Sequence, residues 1–141
     1  MVFSTGPLIS ALLASAALPM IFSPVEFEGR IYADGGIVNN FPVERLSGLC
    51  DVIVGSYAGP LRAVTPEEVD NTLEVAERAL DIGIFLASRA KFHACDVLLC
   101  PTELAHFGTL GSRNIDEIYE IGHRAASEKI DAIQEALAAR R

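Results

Sequence analysis

An α/β fold is what this sequence predicts, and three stretches carry the prediction. Asp51-Val52-Ile53-Val54-Gly55-Ser56-Tyr57 is a β-branched run the length of one strand. A long series of apolar residues at helical spacing follows Thr65, and Asp96-Val97-Leu98-Leu99-Cys100 is a second strand-length run stopped by Pro101. Apolar positions in the first run are nearly continuous rather than alternating, which predicts burial on both faces, as in a parallel sheet. Strand, helix and strand then make a βαβ unit with a right-handed crossover.

Each element has its own signal. Residues 7–17 predict a helix: Pro7 suits its start, and Ala11, Ala14, Ser15, Ala16 and Ala17 let another backbone come close. Residues 23–32 predict an extended segment leading into a turn at Asp34. A short helix is expected over 41–46, with Asn40 as its cap and Pro42 in its first turn. Gly59-Pro60 ends the first strand. Thr65-Pro66-Glu67-Glu68 has the pattern of a capping box with proline at the first helical position. From there Val69, Leu73, Ala76, Leu80, Ile84 and Ala87 recur as one apolar stripe. The helix is apolar nearly all round from Ile82 to Leu86, which predicts deep burial of its second half. A last helix is expected from Ile115 to Ala138, capped by Asn114, with Arg140 and Arg141 at its C-terminal dipole. Its buried face would be Ile118, Ile121, Ala125, Ile130, Ile133 and Leu137.

Half of the 141 residues are hydrophobic and the mean hydropathy is +0.33. Apolar surface left without cover would give that imbalance, and self-association is its expected consequence. A net charge of −8 argues against nucleic acid as a partner, because phosphate binding needs clustered Lys and Arg. It also argues against electrostatic docking on anionic membranes, while leaving open a lipid substrate held by apolar contacts. Cys50, Cys95 and Cys100 form no C-x-x-C, which fits free thiols in a reducing compartment, and no second ligand pair stands at zinc spacing. No metal or other cofactor is expected. Leu8 to Phe22 is apolar, but no Lys or Arg precedes Arg30, and Pro19 cuts a run already shorter than the roughly 20 residues that span a bilayer. We read it as a buried helix rather than a signal or transmembrane segment, in a cytoplasmic or membrane-peripheral protein.

The chemistry gathers at Tyr32-Ala33-Asp34-Gly35-Gly36-Ile37-Val38-Asn39-Asn40-Phe41-Pro42. Gly35 and Gly36 permit a sharp reversal, which would present the Asp34 carboxylate to a cleft as a proton acceptor. The same residues fit a plain hairpin turn, with Asp34 bonding the backbone two residues on. Upstream lies Ala14-Ser15-Ala16-Ala17-Leu18-Pro19-Met20-Ile21-Phe22-Ser23-Pro24. A helix ending in Ala-Ser-Ala-Ala-x-Pro, then Phe-x-Pro, then Asp-Gly-Gly and Asn-Asn-x-Pro resembles the patatin-like phospholipase family. The likeness runs from Ser4 to about Ala126 and is sharpest from Ala14 to Pro42.

That resemblance implies a three-layer α/β/α sandwich of which residues 1–141 form the C-terminal part. It implies a serine-type lipid acyl hydrolase with a Ser-Asp dyad, no metal, and a lipid or ester substrate. Asp34 takes the place of the dyad's acid, Gly35 and Gly36 shape its turn, and Phe22, Ile37 and Phe41 would line an acyl pocket. The family's Gly-rich oxyanion loop and G-x-S-x-G elbow do not occur in this sequence, so the chain by itself is expected to be inactive and to lack the N-terminal half of the domain as its partner. Two alternatives stand beside this: a patatin-fold interaction module without catalysis, and an unrelated βαβ protein whose Asp34 turns a hairpin.

Other candidates are weaker. Ser56 in Gly55-Ser56-Tyr57-Ala58-Gly59 has glycines one before and three after, not the elbow's two and two. His93, His106 and His123 are scattered and read as surface or rim residues, with His106 after a strand the nearest to a site position. Gly108-Thr109-Leu110-Gly111-Ser112 lacks the lysine and spacing of a P-loop.

Overall fold

Small residues on one side of an apolar run give the first helix, α1 (Leu8–Ser15), a face that another backbone can approach. The computed structural model describes every residue except Met20, 109–113 and Arg141. The chain divides into two units, Met1–Asn40 and Phe41–Arg141. In the first, α1 packs beside β1, and Ala14 and Ala17 are buried. Leu8, Ile9, Leu12 and Leu13 are exposed, so the expectation of a buried helix holds only for its small-residue side.

Residues 23–32 are not one extended segment. They fold back as an antiparallel hairpin of β1 (Val25–Phe27) and β2 (Arg30–Tyr32), with Val25 opposite Tyr32 and Phe27 opposite Arg30. The turn is Glu28-Gly29, where φ is +52° and +68°; positive φ at both central residues matches the right-handed twist of the strands. The hairpin alternative had placed that reversal at Asp34. Phe27 stacks on Tyr32 with ring centroids 4.4 Å apart, and Phe3 closes the cluster at 5.5 Å from each.

In the second unit the predicted parallel pair is present: β3 (Val54–Ser56) runs beside β4 (Val97–Leu99), with Gly55 opposite Leu98. Asp96 clamps its start. Its Oδ2 accepts the Ile53 N–H at 2.8 Å while its own N–H reaches the Ile53 carbonyl at 2.9 Å. That bond, with Arg140 assisting, holds the Asp96 carboxyl below the ordinary range. Phe41, Val43 and Tyr57 form the core, with Phe85, Phe92 and Cys95 around them.

The later helical segments depart from expectation. The 41–46 segment is a single 3₁₀ turn, Val43–Arg45, preceded by Pro42 rather than capped by Asn40. The Thr65–Glu68 capping box forms, but opens only the 3₁₀ turn Pro66–Glu68. α3 (Thr72–Arg89) starts afresh at Asn71, whose side chain accepts the N–H of Leu73 and of Glu74. Its second half is not deeply buried, since Ile82 and Leu86 are exposed and only Ser88 is fully covered. The last helix is two, α4 (Ile115–Ser127) and α5 (Ile130–Ala138); Asn114 precedes α4 without a side-chain cap bond, and Ile130 and Leu137 are exposed.

Candidate active site

Asp34 follows β2 and precedes a one-turn helix, α2 (Gly36–Asn39). Two bonds set its position. Its backbone N–H donates to the Ala17 carbonyl at 2.9 Å, tying the turn to the chain just past α1. Its Oδ1 accepts the Gly36 N–H at 2.6 Å. This is the turn bond to the residue two positions on, and the half-buried carboxylate uses only Oδ1 in its hydrogen bonding among the described residues.

The two glycines serve differently from expectation. Neither has positive φ, and Gly35 lies in the right-handed helical region (φ −69°, ψ −19°). The Gly35 carbonyl starts α2 by accepting from Val38 at 3.1 Å and Asn39 at 2.8 Å. Gly36 leaves room for two side-chain oxygens, because a Cβ there would stand 2.9 Å from Asp34 Oδ1 and 2.9 Å from Asn40 Oδ1 and would push both aside. Glycine at 36 therefore lets the carboxylate sit over the backbone N–H. Sequence reasoning missed Ala17 and Asn40 as neighbours of this turn; the four-residue step from Gly36 to Asn40 was the available signal.

The three residues expected to line an acyl pocket lie in different settings. Phe22 is 58% exposed and Ile37 is half-buried, both in the first unit. Phe41 belongs to the core of the second unit, 5.3 Å from the Phe92 ring and 6.1 Å from Tyr57. Ser56 sits within β3, opposite Leu99, and not on a strand-to-helix turn. His93 and His106 lie in 3₁₀ turns, while His123 stacks on Tyr119 of α4 at 5.9 Å; all three are exposed. A cavity of about 390 Å³ beside His106 is lined by Glu103, Glu117, Glu120 and Arg124, with no Ser, Thr or Cys among its described lining residues. Of the Gly108–Ser112 loop, residues 109–112 lie outside the described residues. Among the described residues no cluster of His, Cys, Asp and Glu could hold a metal ion, and no helix is long and apolar enough to cross a membrane.

This turn lies within a recognised family segment. The family model described as patatin-like phospholipase matches residues 2–47, which span α1, the hairpin, Asp34 and α2. That segment is similar to the patatin-like phospholipase family. An uncharacterized NTE family protein of Mycobacterium tuberculosis (strain H37Rv) is 40% identical to this chain over 70 residues, covering 45% of this chain and 19% of the relative. A protein of the same description from Mycobacterium bovis matches equally. A probable lipid hydrolase of Invertebrate iridescent virus 6 is 40% identical over 37 residues, 26% of this chain and 13% of the viral protein. The chain thus covers about a fifth of the length of its mycobacterial relatives.

Proposed function

We propose that Asp34 is the proton acceptor of a Ser-Asp dyad in a lipid acyl hydrolase, completed by a nucleophilic serine and an oxyanion loop from polypeptide outside this sequence. Support comes from the family match around Asp34 and from one geometric observation: the carboxylate is fixed through Oδ1 on the Gly36 N–H at 2.6 Å. A base held in place before substrate arrives needs little reorganisation in the transition state.

The chemistry closes with a single carboxylate. Asp34 takes the serine O–H proton as the hydroxyl oxygen attacks the ester carbonyl, and backbone N–H groups hold the oxyanion. The leaving alcohol carries that proton away as the acyl-serine forms. Water then attacks the acyl-serine, gives its proton to Asp34, and releases the fatty acid while the serine recovers its proton. The chain alone turns over no ester, and the parent acts in lipid degradation.

The 2.6 Å bond equally suits a non-catalytic turn. Asp34→Asn separates the two readings, because an amide oxygen can still accept the Gly36 N–H but cannot take a proton. In a polypeptide carrying both this chain and a G-x-S-x-G segment, p-nitrophenyl butyrate turnover should fall by about 10²–10⁴-fold, the range for a lost general base. Thermal stability should fall by only about 1 kcal/mol, the difference between a charged and a neutral acceptor for the Gly36 N–H. Activity within a few-fold of the parent would remove Asp34 from the mechanism.

A further inference from the structure

We draw no further inference here: the strongest candidate, the exposed apolar strip of Val75, Ala79, Ile82 and Leu86 along α3, carries none because nothing in the structure shows what covers it.

Discussion

Gly55→Ala tests whether the second unit is closely packed where β3 meets its core. A Cβ built on Gly55 would stand 2.5 Å from Cys95 Sγ, 2.6 Å from Phe41 Cζ and 3.4 Å from Leu98 Cδ1. Carbon atoms in contact prefer about 3.5–4.0 Å, so the methyl overlaps two neighbours by roughly 1 Å each. Neither can yield cheaply. The Phe41 ring is set edge-on against both Phe92 and Tyr57, and Cys95 packs on the same cluster. Overpacking of this kind costs about 1–3 kcal/mol, and two stiff neighbours place it at the upper end. Reduced freedom of the unfolded chain returns about 0.4–1 kcal/mol, leaving a loss of about 2 kcal/mol. With a urea slope of about 1–3 kcal/mol/M, the midpoint should fall by about 1 M. The opposite sign is expected at Gly122 inside α4, where a Cβ meets nothing within 4 Å and alanine should add about 0.5–1 kcal/mol of helix stability. Cys95→Ala should relieve part of the Gly55→Ala penalty, giving a coupling of about 0.5–3 kcal/mol in a double-mutant cycle. A Gly55→Ala midpoint within about 0.3 M of the parent would refute the packing argument, since that is less than 1 kcal/mol at any ordinary slope.

Three further outcomes are expected. In Gly36→Ala the methyl displaces two side-chain oxygens that can swing aside, and helix propensity offsets the cost, so stability should change by less than about 1 kcal/mol; the amide proton of residue 36 should nonetheless lose hydrogen-exchange protection, and unchanged protection would mean the carboxylate never held it. The Arg62 guanidinium, helped by the Thr65 N–H, brings the Glu68 carboxyl down to about 2, and the pairing raises Arg62 in turn. Because the folded value lies below the unfolded one, this contribution is complete above about pH 4.5 and disappears as pH falls through about 2; carboxyl NMR should show the low midpoint in the parent and a return toward about 4.3 in Arg62→Ala. Burial pushes the Cys95 and Cys100 thiols up, with Asp96 adding to the effect at Cys95, whereas Cys50 is exposed. An aromatic disulfide reagent at pH 8 should therefore label Cys50 at least ~10-fold faster than the other two, and three equal rates would contradict that burial.

The parallel pair and the existence of α3 were legible because β-branched runs and helical periodicity are strong signals over these lengths. Where α3 begins was not, because two caps compete within seven residues. Thr65 caps a single turn, and Asn71, which satisfies two N–H groups at once, captures the long helix. The hairpin at Glu28-Gly29 was hidden because glutamate rarely takes positive φ, while Asp34-Gly35 looked more like a turn and proved to be a helix entrance. The break between α4 and α5 did leave a trace. Apolar residues step by three and four from Ile118 to Ala125, then by five to Ile130, which turns the stripe about 140° around the axis. A straight helix could not keep both halves on one surface. At the candidate site the Asp-Gly-Gly pattern marked a turn at Asp34, but the reason for Gly36 is spatial and became visible only with Asp34 Oδ1 and Asn40 Oδ1 in place.

The turn bond at Asp34 and its proposed role as a base do not compete for the same atoms. A carboxylate offers about four lone-pair positions over two oxygens, and the Gly36 N–H occupies one of them. A bond from N–H to a charged acceptor is worth about 1.5–3 kcal/mol, enough to hold a short side chain whose rotamer freedom costs no more than about 2 kcal/mol. The Asp34 N–H bond to the Ala17 carbonyl fixes the backbone to which that side chain is attached. Position is therefore set by Oδ1 and the main chain together, and Oδ2 is the oxygen on which proton transfer would fall. A purely structural aspartate needs the first part of this arrangement and is indifferent to the second. That asymmetry is why an amide at position 34 is more informative than alanine: it keeps the acceptor that shapes the turn and abolishes the charge that would take the proton.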